Sequence, residues 1–287
     1  MAYVAAQKWY GDWQSKEHAE RFDFRSKLSN GNLVRNYESL NDILLLKERF
    51  DSSASHTFLE AGCATAELYR YLRLKYPQMT YYGFDISEPA IQRARDKYPA
   101  ARVFRIDPQA APPHCLGTVG LSDGAGIVFA KDVVHHQPRP LDFVSSLLSM
   151  TKLALLMRCR TRDVGPTETD PELSCQYHYD GWMPYIVTNL DELITHIHGT
   201  CPRSEVVVYR NHIVLGGKQN RFLPKDCFLP ETGTAETSVG VFLKTNASGK
   251  ITIQDRPDQN PSYSLAYYLQ LALRRGLRVV RSSSLEN

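Results

Sequence analysis

No CxxC pair occurs anywhere in the 287 residues, and the six cysteines, Cys63, Cys115, Cys159, Cys175, Cys201 and Cys227, are scattered. That spacing argues against a zinc ribbon. With no basic-then-apolar leader in the opening MAYVAAQKWYGDWQ, it also predicts free thiols and no disulfide framework. No apolar run approaches the roughly 20 residues that a bilayer-spanning helix needs, so the sequence predicts a cytoplasmic protein with no membrane partner. Charge of one sign is short as well. The net charge is +3, and the one basic cluster, LRRGLRVVRSSS, reads as a solvated helix end; nucleic acid is not expected as a partner. There is no internal repeat and no low-complexity tract.

What is present is ordinary globular material, 43% hydrophobic and 23% charged, in a chain long enough to bury a substantial core. Its organisation falls into three parts. Residues 1–50 are polar and aromatic, then helical around SLNDILLLKERF, where Leu40, Ile43, Leu44 and Leu46 suit a buried stripe; they predict a helical cap or lid. In residues 51–250, apolar strand candidates such as TFLEAG, TYYGFD, ARVFRID, GIVFAKDVV and LALLMRCR alternate with helical stretches. That alternation predicts a doubly wound, Rossmann-like α/β sheet, and the late segments SEVVVYRNHIVL and TSVGVFLKT are expected to pair as an antiparallel edge. Residues 251–287 read as a linker followed by a helix, SLAYYLQLALRRGL.

The stretch TFLEAGCATAELYRYLRLKYPQMTYYGFDIS reads as strand, small-residue turn, helix and a second strand ending in Asp85. In a doubly wound sheet, ligands bind beyond the carboxyl ends of the strands. Small residues there, Gly62, Ala64 and Ala66, let backbone approach a ligand, the following helix points its N-terminus at it, and Asp85 stands where a carboxylate accepts from two ribose hydroxyls. A nucleoside-containing ligand follows. The full GxGxxG pattern of dinucleotide enzymes is missing, which disfavours an NAD-dependent dehydrogenase.

These residues resemble the class I S-adenosylmethionine-dependent methyltransferases of small-molecule type. The landmarks are Glu60 with AGCATA, Asp85 in GFDIS, Asp107 in FRID, and the fourth-strand segment GIVFAKDVVHHQPRP, in the family's order. The resemblance implies a seven-stranded sheet with an antiparallel last strand, S-adenosylmethionine as cofactor and S-adenosylhomocysteine as product. It further implies Glu60 near the methionine part of the cofactor, Gly62 and Ala64 in the loop, Asp85 on the ribose, Ile86 over the adenine face and Asp107 on its amino group. Lys131, Asp132 and Val133 would border the transferred methyl. Ala64 and Ala66 replace glycines of the family pattern, and a methyl group at either position is expected to crowd the cofactor if the turn needs a positive φ; a methyltransferase-like binding or scaffold protein is the alternative this raises.

A sulfonium methyl is already electrophilic, so the protein's tasks are in-line positioning and, for a hydroxyl or ammonium acceptor, proton removal. His135 and His136, just past the fourth strand, either remove that proton or orient the loop. In CQYHYDGWMPY, His178 is a further candidate base, while Tyr177, Tyr179, Trp182 and Tyr185 either face a flat or sugar-like acceptor or pack the loop on the sheet. Trp9, Tyr10 and Trp13 pose the same choice for an N-terminal lid. No Asp-Asp-Asn set accompanies Asp132, so no metal is expected, and no Asn/Asp-Pro-Pro-Tyr/Phe motif follows the fourth strand, which disfavours base methylation. The expected partner is a small-molecule methyl acceptor, the expected reaction O- or N-methylation, and the expected state a monomer or homodimer.

Overall fold

A computed structural model describes residues 13, 15–22, 28–107, 116–170, 172–178, 181–212, 221–243, 246 and 249–258. In chain order these form α1 (Lys16–Phe22), α2 (Asn30–Glu38), α3 (Asn41–Arg49), β1 (Thr57–Ala61), α4 (Glu67–Lys75), β2 (Thr80–Asp85), α5 (Glu88–Lys97), β3 (Arg102–Arg105), β4 (Ala125–Lys131), α6 (Pro140–Ser149) and β5 (Thr151–Arg162). There follow β6 (Cys175–His178), β7 (Gly181–Pro184), β8 (Thr188–Asn189), α7 (Leu190–Thr200), β9 (Glu205–His212), β10 (Arg221–Phe222), β11 (Ala235–Phe242) and β12 (Ile251–Asp255).

The central strands are apolar on both faces, as parallel strands between two helix layers must be. Phe58, Ile127, Phe129 and Leu156 pack toward α2, α3, α4 and α5, while Leu59, Val128, Leu155 and Met157 pack toward α6 and α7. Local chemistry sets the helix starts. Ser29, Ser87 and Asn189 accept hydrogen bonds from the first turns of α2, α5 and α7, and prolines occupy the first turns of α5 and α6, the positions where a missing N–H costs nothing.

The sheet runs β12-β9-β11-β5-β4-β1-β2-β3, with β8 added against the end of β5. β1 pairs in parallel with β2 and β4, and β11 is antiparallel to both β5 and β9. The doubly wound class therefore holds, with two corrections of detail. The late strands β9 and β11 do pair antiparallel, but β11 is inserted between β5 and β9, so β9 runs with the parallel strands and the pair is not the edge. The edge is β12, parallel to β9, in the segment read as linker and helix. Its mostly exposed, alternating ITIQD is the polar, short strand that suits a sheet margin. The helix expected at SLAYYLQLALRRGL lies outside the described residues. In α3 the buried stripe is Ile43, Leu45 and Leu46, with Leu44 only half-buried.

Between β5 and β11 the chain builds a second, three-stranded antiparallel sheet, β10-β6-β7, where the sequence suggested only a loop. Its own small core is Tyr185, Val187, Leu223 and Cys227. One long-range cap also matters. Leu40, at the N-cap of α3, has no side-chain acceptor; Asp258, beyond β12, supplies it, its Oδ1 accepting from the Asn41 N–H at 3.0 Å.

Candidate functional site

The loop between β1 and α4 is held by hydrogen bonds to the end of β2. Gly62 N–H and Cys63 N–H both donate to the Phe84 carbonyl (2.8 and 3.0 Å), and Ala66 N–H donates to the Cys63 carbonyl at 2.8 Å. Asp85 completes the frame: Oδ2 accepts from Ala64 N–H at 2.8 Å and Oδ1 from Ser87 N–H at 2.9 Å. Gly62, Ala64 and Ala66 have φ of 71°, 45° and 56°. The turn does need a positive φ at both alanines, left-handed backbone that costs an L-residue about 1–2 kcal/mol each. Gly62 is required twice over, because a Cβ there would also stand 3.0 Å from Val133 Cγ2.

Asp85 is partly exposed, and each carboxylate oxygen, with two lone pairs, spends one of them on a backbone N–H of this frame. With the Ile86 N–H also contributing, a lone pair remains to accept from a ligand hydroxyl. Burial raises its pKa above the ordinary carboxylate value, against the lowering effect of N–H groups of Ser87, Ala64 and Ile86. Beneath the loop, buried Glu60 accepts from the Tyr81 hydroxyl at 2.5 Å; burial, then the Glu60 charge, pushes the Tyr81 phenol well above its usual range, so it remains a donor. Ile86 is half-buried against the core, and Asp107 is exposed just past β3.

At the end of β4, Asp132 adopts φ 57°. Its backbone N–H donates to the Arg158 carbonyl at 3.0 Å, and its Oδ1 lies 3.3 Å from Arg160 Nη1 and 3.7 Å from Arg158 Nε. Burial opposes ionisation of Asp132, yet Arg160, Arg158 and Lys131 outweigh it and hold the carboxyl far below the usual range. A depressed carboxyl contributes stability that is full above its unfolded value, about 3.9, and lost as pH falls through the folded value. The thermal midpoint of the wild type is accordingly expected to lead that of Asp132→Asn at neutral pH, and that lead to begin shrinking once pH falls below about 4; an unchanged gap down to pH 3 would refute the assignment.

The turn Val134–His136 follows. His136 Nδ1 lies 2.9 Å from the Pro184 carbonyl oxygen, which can only accept, so Nδ1 carries the proton and Nε2 the lone pair in the neutral ring. His135 is buried, and its carbonyl accepts from Ile186 N–H at 2.8 Å. The two rings stand 4.2 Å apart; Tyr185 meets them edge-on at 5.1 and 5.8 Å, and Trp13 meets His136 at 5.0 Å. Arg160 Nε donates to the Tyr185 hydroxyl at 3.0 Å.

The structure thus brings Trp13, His135, His136 and Tyr185 together with Asp132. Tyr177 and Trp182 lie instead on the small sheet, in edge contact with each other at 5.2 Å and continued by Phe222 at 5.1 Å from Trp182. His178 pairs with Gly181 through the backbone. Trp9, Tyr10, Tyr179 and the His178 side chain lie outside the described residues. Sequence reasoning passed over Arg158, Arg160, Glu236 and Asp42. A signal existed for the arginines: MRCRTR puts three cations on one face of a strand that is otherwise apolar. Among the described residues, no group of three or more His, Cys, Asp or Glu side chains is placed to hold a metal ion, and no helix is long and apolar enough to cross a membrane.

Residues 59–152 match a family model described as a methyltransferase domain. No curated protein matches the chain. Among solved structures, it is similar to the plantazolicin methyltransferase BpumL in complex with a monoazolic desmethylPZN analog and SAH, at 17% identity over 84% of this chain and 94% of that one, TM-score 0.50. A SAM-dependent methyltransferase from Aquifex aeolicus matches at 15% identity, 80% and 99% coverage and TM-score 0.45. The chain spans only 54% of the CurJ carbon methyltransferase, which covers 72% of it at 16% identity and TM-score 0.44.

Proposed function

We propose, for a chain whose residues 59–152 are a methyltransferase domain in the S-adenosylmethionine-dependent class I fold, that it moves a methyl group from S-adenosylmethionine to an oxygen or nitrogen of a small molecule. The observation that carries this reading is the loop itself: Gly62, Ala64 and Ala66 all take the left-handed backbone, and Ala64 is tied to Asp85. A strand-ending carboxylate beside a tight, small-residue turn is the arrangement a nucleoside ligand needs.

In this reading Asp85 accepts from a ribose hydroxyl, Ile86 covers the adenine, Asp107 contacts its amino group, and Glu60 lies near the methionine end. Lys131, Asp132 and Val133 border the methyl. The cofactor supplies the electrophilic methyl when bound; the protein orients the acceptor and takes its proton. His136 is the base we favour, because donation from Nδ1 to Pro184 leaves Nε2 to accept a proton, while buried His135 orients the turn. The acceptor lies against Trp13 and Tyr185, with Tyr177 and Trp182 reached across the small sheet. The free thiols of Cys63, Cys159, Cys175, Cys201 and Cys227 suit the cytoplasm.

Calorimetric titration with S-adenosylmethionine, S-adenosylhomocysteine and NAD tests the reading. Both adenosyl ligands are expected to bind, and Asp85→Ala to abolish binding by removing the ribose acceptor and the tie to Ala64. Heat from NAD alone would mean a dehydrogenase; no heat from any of the three would leave a scaffold role.

A further inference from the structure

The side chain of Arg158 is only 7% exposed and is surrounded by carboxylates from four parts of the chain: Asp42 of α3, Asp132 after β4, Glu236 of β11 and Asp258 after β12. Its bonding is lopsided. Nη2 reaches both Glu236 and Asp258 Oδ2, the latter at 2.8 Å, which uses both its hydrogens. Nε and Nη1 are buried and make no hydrogen bond; they stop 3.7 Å short at Asp132 Oδ1 and 4.0 Å short at Asp42 Oδ1. A guanidinium beside a carboxylate prefers a two-pronged, closer contact. Here Glu236 and Asp258 hold it by one nitrogen, and Asp132 is left to Arg160.

Taking this together with the methyltransferase reading above, on which it rests, we propose that Asp258 is a positioning residue: by anchoring Arg158, it keeps Asp132 turned toward the cofactor's methyl. The charged groups facing Arg158 are Asp42, Asp132, Glu236 and Asp258, with Lys131 and Arg160 also facing Asp132. If the Asp258 charge is lost, one Nη2 hydrogen is released, the guanidinium turns, and Nε and the freed Nη2 N–H, which share one edge, close on Asp132. The carboxylate is 39% exposed, and its 3.3 Å contact to Arg160 Nη1 is the one it gives up in turning to Arg158.

Asp258 has a second, purely structural task, since Oδ1 caps α3 at Asn41. The two tasks separate by substitution. Asp258→Asn keeps an oxygen for the Asn41 N–H but drops the charge; Asp258→Glu keeps the charge. The test is calorimetric affinity for S-adenosylmethionine, which carries that methyl, measured for both variants in the wild-type chain and in Asp132→Asn. Asp258→Asn is expected to weaken binding on the order of fivefold in the wild-type background, Asp258→Glu to restore most of it, and the Asn effect to vanish when Asp132 is already Asn. Equal weakening in both backgrounds would reduce Asp258 to a helix cap and overturn the proposal. So would unaltered affinity in Asp258→Asn, with the methyltransferase reading left standing. A wild-type protein that does not bind S-adenosylmethionine would overturn both.

Discussion

Arg158→Met is expected to lower the stability of the fold by about 3–5 kcal/mol, the loss found when one partner of a buried charge pair is removed and the others remain. For a chain of this size that corresponds to a fall in thermal midpoint of roughly 10 °C. The reason is the company Arg158 keeps. Glu236, Asp258 and Asp42 converge on it with little water, and burial is the largest influence on Asp42, raising its pKa, with Arg158 the chief influence holding it down. Without the guanidinium the Asp42 carboxyl rises further. A group whose folded value lies above its unfolded one contributes stability at low pH that is lost as pH rises through the folded value. The gap between wild type and Arg158→Met should therefore be narrowest in acid and widen as pH rises past the elevated Asp42 value. Circular dichroism melts from pH 4 to 8 would show this; a loss under about 1 kcal/mol, or a gap that widens in acid, would mean the cluster contributes little.

Gly62→Ala is the second large effect, expected to cost about 2–4 kcal/mol and to remove binding of S-adenosylhomocysteine. Two costs combine: the left-handed φ, about 1–2 kcal/mol for an L-residue, and a methyl forced against Val133, where overpacking costs typically 1–3 kcal/mol. Val133 borders the proposed methyl site, so pushing it aside disturbs the cofactor's pocket and its loop together. The contrasting control is Ala64→Gly. That change relieves backbone strain, but the more flexible unfolded chain takes back about 0.4–1 kcal/mol, so a near-neutral or slightly stabilised protein with undiminished affinity is expected. Should Gly62→Ala bind and melt like the wild type, the loop would not be the cofactor's cradle.

Much of the fold was legible in the order of apolar runs. TFLEA, TYYGFD and AGIVFAK are buried on both faces and alternate with helices of one-sided polarity, and that pattern specifies a doubly wound sheet before any contact is known. Asp85 and Asp132 were legible as candidates because each stands where a strand ends, Glu60 because it precedes the small-residue turn, and the loop's strain because alanines stand at glycine positions. The small sheet was not. β10 is two residues long and pairs with β6 from some 45 residues away, and no periodicity can be read from two residues. β12 hid in a polar segment because an edge strand, open to water on one side, need not be apolar.

What the sequence determined by itself is what near neighbours determine: strand or helix from the spacing of apolar side chains, a turn from small residues, a helix start from Ser29, Ser87 or Asn189. Tertiary structure alone decided what the charges do. The cap of α3 comes from Asp258, 217 positions along the chain, and Arg158 collects carboxylates from four separate elements. The physical reason is range. A buried charge is tolerated only where opposite charge converges on it in three dimensions, and that convergence follows from how the strands are ordered in the sheet, which no local pattern of residues records.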